Sequence, residues 1–219
     1  MTSYKANDSG YMNYRLILFL FFTHCLVACL KSANDQTEDL TELKKQELTA
    51  LLNRVYEDDL KYRGEVASYI EKYGIRSPEI KALSKKINTV DSLNIIVVKE
   101  IVNKYGWLSK DVVGEQANAA LFLVIQHATK NDRKYFLPLV RAAVKNNSAS
   151  AKDLAFLEDR MAEEEGRKQI YGTQIGFDEK TNKYFVLPIE NPKQVDDRRA
   201  KVGLPPLSVQ LSQWQIEPR

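Results

Sequence analysis

Cysteine is almost absent from the 219 residues, and the two present, Cys25 and Cys29, lie close together near the start. From Leu30 onward the chain holds no thiol, which excludes an internal disulfide, a thiol nucleophile and a cysteine-ligated metal there. Histidine is equally scarce. His24 lies beside the cysteines, so His127 is the only imidazole in the remainder. A zinc site of the usual multi-histidine kind needs more than one. The sequence also lacks a glycine-rich phosphate loop and a nucleophile-elbow motif, and nothing in it calls for a cofactor. Neither sign of charge dominates: 32 Lys and Arg stand against 29 Asp and Glu. The pairs Lys44-Lys45, Lys85-Lys86 and Arg198-Arg199 are far apart and mixed with acids, so they read as solvated faces. That balance gives no warrant for a nucleic-acid partner.

What the chain does have is a short apolar run behind a positive residue. Arg15 precedes Leu16-Ile17-Leu18-Phe19-Leu20-Phe21-Phe22, then Thr23-His24-Cys25, and the run closes on Leu26-Val27-Ala28-Cys29. This is a secretory signal pattern. Ending before the polar stretch Lys31 to Gln36, it is too short and interrupted for a permanent span, which needs roughly 20 apolar residues. The closing four residues resemble the cleavage-and-lipidation box of bacterial lipoproteins. The alternative is an ordinary signal peptide cut near Ala28, with Cys29 incidental. Met12 opens a more typical positive region than Met1 does.

The lipobox resemblance implies that Cys29 becomes the first mature residue and is acylated, so that the bilayer is the first partner. Two or more acyl chains, at about 0.8 kcal/mol per buried CH₂, suffice for stable anchoring. Leu30 rather than an acid after Cys29 implies the outer membrane of the cell envelope. Residues 1–28 are then the signal peptide, 29–36 a tether, and 37–219 a single mainly helical domain. A cut before Cys29 removes Lys5, Asp8 and Arg15, leaving 30 basic and 28 acidic among 191 residues. A chain of that size buries roughly 70% of its unfolded surface.

From Thr37 the pattern is helical. Leu48, Leu52, Val55, Tyr62, Val66 and Tyr69 recur at three- and four-residue steps as one apolar stripe. Asp59 occupies a step of that stripe. An acid facing a core must be paired, because an isolated buried charge costs several kcal/mol. Arg63, four residues on, is one candidate, with Arg160 then carrying its head out to solvent; Arg160 on a distant helix is the other, as a buried ion pair. Ser77-Pro78 reads as a helix start. Asp91 to Tyr105 reads as a further helix, although Ile95-Ile96-Val97-Val98 fits a strand equally well.

Glu115 to Ala128 is apolar nearly all round, the mark of a helix in the middle of a bundle, and His127 ends it. Asp132 to Lys145 is helical apart from Pro138, which in mid-helix costs roughly 3 kcal/mol. Ser150 to Asp153 fits a capping box opening a helix to Glu165. Arg160 sits there in an apolar stripe with Phe156 and Leu157. Gln169–Phe177 and Tyr184–Ile189, around the polar turn 178–183, read as a β-hairpin. Asn191-Pro192 caps a short helix ended by Gly203. The fold class expected is mainly α (α+β), a helical bundle with one β-hairpin near the C-terminus.

From about Tyr56 to Leu207 the chain resembles an uncharacterised domain family of bacterial exported and lipid-anchored proteins. The matching elements are Asp59 with Arg63, Lys104-Tyr105-Gly106-Trp107, Gln126-His127-Ala128, Leu137-Pro138-Leu139, Leu157-Glu158-Asp159-Arg160, Tyr171-Gly172-Thr173-Gln174 and Arg198 to Leu204. Two positions depart from its pattern: Thr129 where an acid often follows Gln-His-Ala, and Leu108 where proline often follows Gly-Trp. The resemblance implies domain boundaries and leaves activity open.

Two functional readings follow. The leading one is a non-enzymatic envelope lipoprotein binding a protein or a cell-surface component. The other is an envelope hydrolase with His127 as general base, since histidine as a class titrates near neutrality. That reading places Arg160, Asp159 and Gln174 around one pocket with His127. It requires His127, Arg160 and Gln174 to converge at an accessible cleft. A third reading makes Asp59, His127 and Arg160 a buried polar network that only fixes helix register. Glu158 and Asp159 point about 100° apart on a helix, a geometry that favours surface solvation over paired-carboxylate work. Gly172 leaves room either for a ligand's approach or for close packing.

Overall fold

The computed structural model describes residues 40–216 except Glu179 and Asn182. The signal segment, the lipobox with Cys29, the tether and the expected helical start at Thr37 lie outside the described residues. Helix α1 (Glu42–Arg63) starts where the Thr41 side chain accepts a hydrogen bond from the Lys44 amide, and it buries Leu48, Leu52, Val55 and Asp59. The apolar stripe does not continue as one rod. The chain turns at Gly64 and resumes as α2 (Val66–Tyr73), which ends at Gly74 in the left-handed region.

Helix α3 (Pro78–Tyr105) opens with Ser77 as cap and proline in its first turn. It runs unbroken through Asp91, where two helices were expected, and through Ile95–Val98. Asn94, Val98, Ile101 and Val102 are buried while Ile96 is exposed. That three-to-four spacing is helical and settles the ambiguous run. After Gly106 come the short α4 (Lys110–Val113) and then α5 (Glu115–His127), whose Ala117, Ala120, Leu121, Val124 and Ile125 are buried. Helix α1 packs along α5 and α3, and α3 packs also against α5, so α5 lies in the middle as its composition implied.

Helix α6 (Lys130–Lys145) carries Pro138 without ending there. Pro138 and Lys134 are both exposed, so the carbonyl that the proline deprives of a donor faces water. Helix α7 (Ala151–Glu164) begins with the Ser150 hydroxyl capping the Asp153 amide and packs on α6. The described residues from Thr41 on form one compact unit.

The hairpin is shorter than its sequence pattern suggests. Strands β1 (Ile175–Asp178) and β2 (Lys183–Val186) pair antiparallel, with Ile175 opposite Val186 and Asp178 opposite Lys183. Residues 170–174, expected as strand, form a loop instead. Beyond a 3₁₀ turn (Pro192–Gln194), α8 (Val195–Lys201) ends before Gly203. A further helix, α9 (Leu207–Gln213), follows Pro205-Pro206 and was not anticipated. The fold is mainly helical with one two-stranded hairpin near the C-terminus.

Candidate functional site

The packing of α1 on α5 brings Asp59 and His127, 68 positions apart in the chain, into contact. Asp59 is 3% exposed, and its two carboxylate oxygens lie 3.0 and 3.1 Å from Nδ1 of His127. A carboxylate beside Nδ1 accepts a hydrogen bond from it, which fixes the tautomer and aims Nε2 the other way. Nε2 makes no hydrogen bond within the described residues, and the His127 side chain is 22% exposed. The Asp59 charge is also met from its own helix, by Arg63 Nε at 3.3 Å from Oδ2. Arg63 in turn donates from Nη2 to Asp91 of α3. Three helices are thus joined through the sequence His127, Asp59, Arg63, Asp91. Arg160 makes no hydrogen bond to Asp59; of the two partners considered for that acid, Arg63 is the one present.

The end of α5 is held from α6. Arg133, 7% exposed, donates from Nη1 to the carbonyls of Gln126, at 3.3 Å, and of Ala128, on either side of His127. Its Nη2 donates to Glu164 at the end of α7, and Lys130 Nζ reaches the Glu164 carbonyl at 2.6 Å. Arg160 lies one turn before Glu164. It is half-buried, and its Nε is sealed from solvent with no acceptor. Burial pulls the Arg160 pKa down first, and the positive charge of Arg133 pulls it further. Glu164 and Glu163 oppose this, and Arg63 adds a smaller push in the lowering direction. Arg160 therefore lies within the electrostatic reach of the groups that hold both ends of the His127–Asp59 arrangement.

Asp159 and Gln174 belong to a different structure. Asp159 is fully buried, and its oxygens accept from the Ile170 amide at 2.6 Å, Tyr171 at 3.1 Å, Thr173 at 2.9 Å and the Thr173 hydroxyl at 3.0 Å. The expectation of surface solvation is corrected. This carboxylate clasps the loop before β1 and has no lone pair left for proton transfer. Its neighbour Glu158 points outward and pairs with Arg141 at 2.9 Å. The Gln174 amide nitrogen donates to the Thr173 hydroxyl at 3.0 Å and to the Phe156 carbonyl at 3.5 Å, one turn from Arg160 on α7. Of the four catalytic candidates, His127 ends α5 and Arg160 lies one turn from the α7 terminus that Arg133 ties to the end of α5. Asp159 and Gln174 build the loop clasp.

Arg198 and Arg199, read as solvated, are also corrected. Arg199 is 1% exposed and donates to the carbonyls of Pro205 at 2.6 Å and Tyr171 at 2.7 Å and to Gln210 at 3.0 Å. Arg198 donates to the Ile170 carbonyl at 2.8 Å and to those of Glu190 and Asn191. Both arginines pin α8 to the same clasp. Gly172, at φ +71°, leaves room for packing and not for a ligand, since a Cβ there would sit 2.6 Å from Ile189 Cδ1.

A model for a family of unknown function, DUF6624, matches residues 46–214. The chain belongs to that family. Every candidate of the site falls within the matched segment. No curated protein matches the chain, and no solved structure does. Among the described residues no helix is long and apolar enough to cross a membrane, and no group of three or more His, Cys, Asp or Glu could hold a metal ion. A groove of about 1060 Å³ lies between β2 and α9, lined by Tyr184, Phe185, Leu207, Leu211 and Trp214 among others. It is mostly apolar and contains none of the site candidates.

Proposed function

We propose that this protein is a bacterial envelope lipoprotein, held in the outer membrane by acylated Cys29, whose domain binds a ligand on the face that His127 presents. The lipobox Leu26-Val27-Ala28-Cys29 with Leu30 behind it supports the address. The observation that carries the binding reading is the orientation of the imidazole. Asp59, out of water, takes Nδ1, which leaves Nε2 unbonded at a partly exposed position. A ring held this way is a fixed, directional partner for a polar group of a protein or cell-surface component.

The same orientation favours a second reading, now without Asp159 and Gln174, which the loop clasp takes. An imidazole whose Nδ1 is fixed by a buried carboxylate has its Nε2 lone pair free to take a proton, which is the general-base arrangement of a hydrolase. Two measurements separate these ideas. Fatty-acid labelling of cells expressing the full chain should mark the wild type and not Cys29→Ala; labelling of both would refute the anchor. Chromogenic carboxylic and phosphoric esters should show no turnover above a His127→Ala control. Turnover that disappears in His127→Ala would replace the binding reading with the hydrolytic one.

A further inference from the structure

Among the described residues six buried side-chain polar atoms lack a hydrogen-bond partner, and four of them belong to Gln126, Arg133, Arg160 and Glu164. These residues are neighbours through the contacts already given, because Arg133 bonds the Gln126 carbonyl and the Glu164 carboxylate. Native proteins leave few buried polar groups unpaired, and such groups concentrate where something other than the fold must satisfy them. Arg160 is the extreme case. Arg63, Arg133, Arg198 and Arg199 each donate to carboxylates or carbonyls. Arg160 makes no hydrogen bond at all among the described residues and is nevertheless half-buried. Its Nε is stranded without an acceptor out of water, and only the through-space charges of Glu163 and Glu164 favour the guanidinium.

We infer that Arg160 receives an oxyanion, the phosphoryl or carboxylate end of the ligand, at the face shared with His127. This rests on the binding reading above and deepens it by giving the ligand its charge. Guanidinium suits the task. Its fork offers parallel N–H donors to two oxygens of one anion, and charge-assisted bonds of this kind are about twice as strong as neutral ones. The Arg133 charge nearby adds attraction for an anion while its Nη donors remain committed to carbonyls and to Glu164.

The test uses the full chain in detergent micelles at low ionic strength, titrated with inorganic phosphate and separately with sodium acetate. Histidine is labelled with nitrogen-15, and the His127 signals are identified by their loss in His127→Gln. Saturable shifts of the His127 signals are expected in the wild type, and whichever anion binds more tightly identifies the class. In Arg160→Gln the affinity should fall about tenfold or more, and in Arg160→Lys less, because lysine keeps the charge without the fork. Melting curves establish that both variants are folded. Equal affinity in wild type and Arg160→Gln removes Arg160 from the site while leaving a His127 ligand face standing. If neither anion shifts the signals of the folded wild type, the oxyanion assignment is overturned.

Discussion

Among the described residues two carboxylates are buried, Asp59 and Asp159, and they are satisfied in opposite ways. Asp159 is surrounded by backbone amides of one loop and a single threonine hydroxyl. Its partners cannot titrate, swing away or reach solvent, so it is a structural clasp. Asp59 is satisfied by two side chains, an arginine that goes on to a second acid and an imidazole that reaches the surface. Equal burial therefore conceals unequal roles. An acid sealed by main chain holds the fold, and an acid that orients an exposed imidazole prepares a site. The arginines divide the same way, with Arg199 fully committed and Arg160 uncommitted.

The largest effect should follow from breaking the clasp. Asp159→Ala leaves three amides and a hydroxyl without their acceptor, each worth about 1–3 kcal/mol when stranded. We expect a loss of about 4 kcal/mol or more in chemical denaturation, with the hairpin and α8 losing amide protection first. Next comes Arg199→Ala, which orphans the carbonyls of Tyr171 and Pro205 and should cost about 3 kcal/mol. Asp59→Asn retains the size of the side chain, and Arg63 keeps Asp91. A cost of about 1–2 kcal/mol is expected by the same measurement. A loss as large as that of Asp159→Ala would erase the distinction drawn here.

Arg160→Gln should change stability by no more than about 0.5 kcal/mol, or raise it, since no hydrogen bond among the described residues is lost. An arginine important to the fold would show a loss like that of Arg199→Ala. The smallest effect concerns Asp132, an acid near the surface. A hydrogen bond from Lys99 Nζ at 2.7 Å lowers its pKa against a smaller opposing push from burial, and the Thr129 hydroxyl lowers it further. An acid whose pKa is lowered by folding adds stability above its ordinary value near 3.8 and loses it as pH falls through the folded value. Lys99→Ala should therefore raise the Asp132 pKa in a carbon-13 titration. Solvent screening of Lys99 keeps the stability change to a few tenths of a kcal/mol.

Much of the fold was legible because helical periodicity and caps are local. The stripe from Leu48 through Val55 placed Asp59 in the core, and the all-round apolar character of 115–128 placed α5 in the middle of the bundle. The contact between Asp59 and His127 was not legible, because it depends on the packing of α1 against α5. Asp159 was misread for a related reason. Helix geometry showed that it diverges from Glu158 but not that a loop would fold over it. A usable signal was present in Gly172-Thr173: a glycine inside a β-rich string marks a loop whose amides need an acceptor. Arg199 gave no comparable sign, since its acceptors are main-chain carbonyls, which every sequence possesses.

The central claim is that Asp59 fixes the His127 ring with Nδ1 protonated and Nε2 turned outward. Nitrogen-15 shifts of the neutral ring in the labelled full chain report this directly, with His127 identified by its loss in His127→Gln. The account predicts the Nδ1–H tautomer in the wild type and a shift toward the Nε2–H form in Asp59→Ala. A wild-type ring found mainly as the Nε2–H tautomer would contradict it.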